Sequence, residues 1–174
     1  MTRPTPSVAV PGDLEEVRRR VLAVPDPELP VLTLGQLGVV RDVRRDVDGG
    51  GVTVDITPTY SGCPAMEVIA RDVEEAVRAC GHVAVVRIVL SPPWTTDWIS
   101  DQGRKALQKA GIAPPALRRD GPVPVTIGSG RAGPVCPQCG AGHVEELARF
   151  GSTACKALWR CLACGEPFDY VKPL

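Results

Sequence analysis

Thr57-Pro58-Thr59-Tyr60-Ser61-Gly62-Cys63-Pro64, followed by Met66, Ile69, Ala70, Val73, Ala76, Val77 and Cys80 at helical spacing, decides how the first part of the chain folds. Just upstream, Val52, Val54 and Ile56 alternate with Thr53 and Asp55, the pattern of a strand running to Thr57. Pro64 at the first helical position and Gly81 beyond the last bracket the helix. Strand, glycine turn and helix deliver Cys63 to a helix N-terminus, where free amides and the helix dipole favour an anion and depress a thiol pKa. Cys63 is therefore a candidate nucleophile or metal ligand, with simple packing as the alternative. Cys80 continues the apolar stripe of the helix and reads as core.

Outward from this stretch, Val39–Val47 reads as a partner strand, joined to the next through Asp48-Gly49-Gly50-Gly51, a hairpin turn. A helix precedes it, with Asp13 as N-cap, Glu16 three residues on, and Leu14, Val17, Val21 and Val24 at steps of three and four. Pro25 stops that helix and opens Pro25-Asp26-Pro27-Glu28-Leu29-Pro30, a rigid acidic loop that can be neither regular helix nor central strand. Asp26 and Glu28 there are either solvated or placed to accept hydrogen bonds and ligate an ion. On the other side, Val83–Leu90 reads as a buried strand interrupted only by Arg87 and ended by Ser91-Pro92-Pro93. A last helix over about Asp97–Ala110 closes the unit at Gly111-Ile112-Ala113-Pro114-Pro115. The expected class is α+β: a flexible lead-in over 1–12, a small α-β-β-α-β-α sandwich over 13–115, a linker over 116–134 with a short strand at Val123–Ile127, and a small β unit over 135–174.

The chain has 174 residues, 20 Lys+Arg against 20 Asp+Glu, and 18 Gly with 18 Pro, a corner-rich but globular composition. No stretch approaches the roughly 18 apolar residues of a membrane span, and no signal-peptide core follows Met1, so a cytoplasmic protein without membrane contact is expected. Thiols stay reduced in that compartment, so clustered cysteines point to metal or thiol chemistry. Five of the 7 Cys fall in the last 39 residues, a segment too short to build a core from apolar burial alone. Cys136-Pro137-Gln138-Cys139-Gly140 and Cys161-Leu162-Ala163-Cys164-Gly165 are two C-x-x-C knuckles with 21 residues between them. Each gap turns both sulfurs toward one ion, and the following glycine lets amides approach the thiolates. Four thiolates suit Zn2+; iron fits the same sulfurs, and closed four-cysteine sites are usually zinc. His143 reads as a strand residue rather than a fifth donor.

Cys155, in Gly151-Ser152-Thr153-Ala154-Cys155-Lys156-Ala157, belongs to neither knuckle. It is either a buried small hydrophobe or a thiolate helped by Lys156. Residues 116–174 carry a formal +2, which a zinc–tetrathiolate centre cancels, so no nucleic-acid role is expected. A Cys63–His82 dyad is excluded, because the intervening helix separates them by about 25 Å at 1.5 Å per residue.

Asp26-Pro27-Glu28 after the first helix, with Thr57–Pro64 before the next, resembles the iron–sulfur assembly family that includes SufT and its eukaryotic cytosolic relatives. Ser91-Pro92-Pro93-Trp94-Thr95-Thr96-Asp97-Trp98-Ile99-Ser100, the Gly111–Pro115 segment, Phe150-Gly151-Ser152-Thr153-Ala154-Cys155-Lys156-Ala157-Leu158 and Pro167-Phe168-Asp169-Tyr170 are more particular. Together they resemble the PaaD (PaaJ) type of phenylacetate degradation protein. The resemblance implies a maturation factor for the ring-1,2-phenylacetyl-CoA epoxidase, a multicomponent di-iron oxygenase, assisting iron or iron–sulfur cluster assembly or delivery with its iron–sulfur reductase as the expected partner; the alternative is a non-catalytic structural accessory subunit of the complex. It assigns no catalytic residue. Cys63 becomes the reactive cysteine, Asp26 and Glu28 the acidic loop, and Cys136, Cys139, Cys161 and Cys164 the zinc-ribbon ligands. A transient iron or iron–sulfur cluster on Cys63 would need further ligands, from Cys155 or from a second protomer in a homodimer.

Overall fold

Alternation along β2 (Gly51–Ile56) puts Val52, Val54 and Ile56 on one fully buried face, and the first sheet is built around it. The computed structural model describes residues 13–46, 51–60, 62–116 and 133–173. The expected lead-in, nearly all of the Asp48–Gly51 turn and the Val123–Ile127 strand lie outside them. β1 (Val40–Arg45) pairs antiparallel with β2, with a bulge between Val40 and Asp42. β3 (Val83–Ile88) pairs parallel on the other edge, reached through helix α3 (Met66–Arg78). α3 turns Met66, Ile69, Val73 and Val77 onto the sheet, and α1 (Leu14–Leu22) adds Val17 and Val21.

β3 is not the buried strand expected from its apolar run. Val83 is 68% exposed, and Val85 and Ile88 are also open, whereas Ala84 and Val86 pack on the core. The cause is topological: β3 is an edge strand, and α3 covers one of its faces.

The capping chemistry also falls elsewhere than the sequence suggests. Asp13 makes no side-chain cap, and Glu16 turns to Arg19 and Arg20 instead of closing a box. The capping box forms instead at Thr33 and Gln36, opening a one-turn helix α2 (Leu34–Leu37) that the sequence pattern does not predict. Gly38 ends α2 at φ +76°, and a Cβ there would lie 2.7 Å from the Trp98 carbonyl oxygen and 2.8 Å from its Cβ. Gly38→Ala therefore combines left-handed strain with a backbone clash and is expected to cost roughly 2–4 kcal/mol, read as a lower urea midpoint at unchanged slope. After Trp94, whose indole N–H donates to the Leu37 carbonyl, a 3-10 turn (Thr96–Trp98) and α4 (Asp101–Lys109) complete the unit.

The second sheet is an antiparallel meander of β4 (Val144–Ala148), β5 (Lys156–Cys161) and β6 (Pro167–Val171). Its core is small: Cys136, Ala157, Trp159, Cys161 and Phe168, joined by Ala113. Ala113 belongs to the segment expected to close the first unit, yet it bridges to Tyr170 beside β6. Its N–H donates to the Asp169 carbonyl, and its own carbonyl accepts from Val171 N–H. In return, Val171 packs into the core of the first unit. This exchange of one residue in each direction fixes how the ribbon sits on the sandwich.

Candidate metal centre and junction site

The two knuckles fold alike. Gly140 N–H donates to the Cys136 carbonyl and Gly165 N–H to the Cys161 carbonyl, both at 2.9 Å, with the glycines at φ +74° and +81°. The four sulfurs all lie within 4.8 Å of one another, with Cys136–Cys164 at 3.8 Å and Cys139–Cys161 at 3.6 Å. Zn–S bonds of about 2.3 Å in a tetrahedron place sulfurs about 3.8 Å apart, so two of the sulfur pairs already stand at zinc spacing and the donor set suits zinc. Amides of Cys164 and Ala163 aimed at the Cys161 sulfur draw its pKa down to about 6. Cys164 is pulled down by the Glu166 amide but driven the other way by Cys139 and Cys161, and ends at about 12. Four thiols so close cannot all ionise alone; a dication lets them. His143 contributes its backbone carbonyl, accepting from Leu162 N–H, and stands outside the sulfur set.

The other candidates meet at the junction between the two sheets. Asp26, Glu28, Cys63 and Cys155 line one cavity whose remaining wall includes Met66 and Trp94. Cys63 reaches it from a turn, with its N–H donating to the Tyr60 carbonyl, and α3 begins only at Met66. The expected depressed thiol pKa is therefore corrected. Burial pushes Cys63 up; the Ala65 amide opposes this, and Glu28, Asp26 and Cys155 add to it. Desolvation outweighs the helix terminus because the sulfur sits ahead of the first turn and inside an apolar wall.

Cys155 is buried, with its sulfur 3.1 Å from Thr153 Oγ1 and donating to Glu28 Oε2 at 3.9 Å. Burial also raises its pKa. Lys156 gives it little help, since that ammonium is turned onto Asp169 Oδ2 at 3.0 Å. Thr153 and Trp94 join the site without any strong signal in the sequence. Thr153 precedes Cys155 by two positions, and a tryptophan after Ser91-Pro92-Pro93 is the only local hint for Trp94.

Asp26 is buried and shapes the loop: its Oδ1 accepts from Glu28 N–H at 3.0 Å and Leu29 N–H at 2.7 Å. This turn presents Glu28 toward Cys155. Burial raises the Asp26 pKa against the pull of the Leu29 and Glu28 amides. A carboxyl whose folded pKa exceeds its unfolded value ionises more readily in the unfolded chain, so its contribution falls as pH rises from about 4 through the folded pKa. Asp26→Asn keeps the acceptor and is expected to gain stability relative to wild type with rising pH across that window. Asp26→Ala strands two amides and should lose about 2–4 kcal/mol. Urea unfolding of both variants over a pH series measures the two effects.

Two family models match the chain. An iron–sulfur cluster assembly protein model covers residues 14–89, and a PaaD zinc beta ribbon domain model covers residues 120–172. A protein of Escherichia coli (strain K12) named as a component of the 1,2-phenylacetyl-CoA epoxidase is 42% identical over 93% of this chain and 94% of its own length. The Fe-S protein maturation auxiliary factor SufT of Staphylococcus aureus (strain USA300) is 40% identical over 47% of this chain and 93% of its own length. The corresponding factor YitW of Bacillus subtilis (strain 168) is 38% identical over 53% of this chain and 91% of its own length. Knuckle geometry, sandwich and near-full-length identity agree: the chain belongs to the PaaD family, in which an iron–sulfur cluster assembly domain is joined to a zinc beta ribbon.

Proposed function

We propose that the protein is a maturation factor for the 1,2-phenylacetyl-CoA epoxidase system, helping to assemble or deliver iron or an iron–sulfur cluster to an epoxidase component, with the iron–sulfur reductase as the client. The observation that carries this reading is the meeting of Cys63 with Cys155 and the acidic loop over one cavity. The E. coli relative's name supplies the system, and the auxiliary factors supply the kind of work. In this role Cys136, Cys139, Cys161 and Cys164 hold a permanent zinc, and the protein performs no epoxidation itself. Among the described residues no helix is long and apolar enough to cross a membrane, and the factor acts in the cytoplasm.

The test is the metal content of the epoxidase components purified from cells lacking this protein. Low iron in the reductase, restored by the wild-type chain, supports the proposal; full occupancy without it sinks the proposal. A second reading, a non-catalytic structural component of the epoxidase complex, is favoured by the E. coli relative's name and by the open apolar edge at β3. Co-purification at fixed stoichiometry with Cys63→Ala harmless would select it.

A further inference from the structure

We propose that the junction cavity takes a single thiophilic divalent cation as cargo, ferrous iron in the maturation setting, bound between the Cys63 and Cys155 sulfurs with the Glu28 carboxylate as third ligand. The proposal rests on the maturation reading for its setting and deepens it: the ion is mononuclear, and the ribbon of the same chain completes the site.

Three separate segments converge there. The Pro25–Thr33 loop brings Glu28, the turn before α3 brings Cys63, and the approach to β5 brings Cys155, already in contact with Glu28 across 127 residues of sequence. Two sulfurs and one carboxylate form a mixed donor set for a borderline-soft dication, unlike the oxygen sets that select Mg2+ or Ca2+. The number of donors favours one ion: clusters are held by four cysteine thiolates, and the cavity offers two sulfurs with one carboxylate.

The wall around the donors is largely apolar, with Leu29, Leu37, Val39, Ile69 and Trp94 facing the space beside Asp26 and Lys172. Such a wall strengthens each charge–ligand interaction and keeps solvent from competing. The donors are also less converged than those of the ribbon. Among the described residues Cys136, Cys139, Cys161 and Cys164 are the only group of three or more such donors whose ligand atoms all lie within 4.8 Å of one another. A closed site retains its ion, whereas one whose ligands come from a loop and a turn of the first unit and from the approach to β5 in the second must draw together to bind and can part to release. Binding breaks the two S–H bonds, forms two sulfur–metal bonds and sends two protons to solvent, with no change of oxidation state. Two thiolates and a carboxylate around a dication leave one net negative charge.

The experiment uses the full chain with its ribbon loaded with zinc, titrated anaerobically with Co2+ as the spectroscopic probe. One cobalt per chain beside one zinc, with thiolate–cobalt charge-transfer absorption, is the expected result. Cys63→Ser and Cys155→Ser should each weaken binding by more than about tenfold, since losing even an outer partner of a metal ligand costs that much. Glu28→Gln should weaken it less. Thermal unfolding of each variant confirms that the fold is kept, and Cys80→Ala serves as the thiol control with unchanged affinity. If Cys155→Ser binds Co2+ as tightly as wild type, or if no cobalt binds beyond the ribbon, the proposal is overturned. Should Cys155→Ser still accept a reconstituted cluster on Cys63, the single-ion site falls while the maturation reading stands. Full reductase iron in cells lacking the protein removes the maturation reading and leaves the cobalt result untouched.

Discussion

Stripping the metal from the four-cysteine centre is expected to unfold the second sheet while the first remains folded. The ribbon core holds only Cys136, Ala157, Trp159, Cys161 and Phe168 with Ala113, and a segment of about 40 residues cannot offset its chain entropy with so little buried surface. Structural zinc contributes an apparent 10–16 kcal/mol in comparable small sites, on the order of a whole domain's net stability. A chelator, or Cys136→Ser at a buried ligand, should therefore release the zinc and abolish amide-exchange protection in β4, β5 and β6. Protection in β2 and α3 should persist, because Val52, Val54, Ile56, Val73 and Val77 belong to a fully buried core to which the ribbon contributes only Val171. Acidification should have the same effect, since protons compete with the ion for the thiolates. The loss reaches the junction too: without β6, Ala113 loses its partners and Cys155 leaves the cavity, so Cys63 should label faster with a thiol reagent. Strands β4–β6 that stay protected without metal would refute this account.

That dependence explains why some of the molecule could be read from the chain and some could not. Helix α3 and the two knuckles are local patterns: a spacing of three and four, and a two-residue gap with a glycine behind it. Each is decided by residues that touch each other. β3 is different, because an apolar run states that a strand is apolar and leaves open whether a second layer covers it. α2 is too short for periodicity and rests on Thr33 and Gln36, while the more obvious box at Asp13 is taken over by two arginines. The junction is long-range throughout. Nothing near Cys155 announces Glu28, and nothing near Ala113 announces β6. Even Cys63, placed correctly before a helix, carries the opposite pKa shift to the expected one, since burial by residues distant in sequence outweighs its nearest amides.

Cys63→Ser is expected to leave the fold almost unchanged and to abolish iron transfer to the client, a contrast that Cys80→Ala should reverse. Cys63 is half-buried at a turn and packs only at the margin of the core, so exchanging sulfur for oxygen should move stability by less than about 1 kcal/mol. Its proposed value is chemical: a hydroxyl in that apolar wall is a far poorer ligand for a borderline-soft cation than a thiolate. Cys80 sits on the buried stripe at the end of α3, with its S–H donating to the Ala76 carbonyl. Removing its sulfur leaves a small void and a lost contact, costing about 1–2 kcal/mol, with no effect on a cavity it does not line. Thermal unfolding of both variants, beside reductase iron content in cells carrying each, separates the two roles. Cys63 as a mere packing residue predicts normal iron with Cys63→Ser; Cys63 as a ligand predicts iron at the level of the deletion strain while Cys80→Ala stays near wild type. The contrast holds because the less stable variant should be the functional one, so reduced abundance cannot imitate the result.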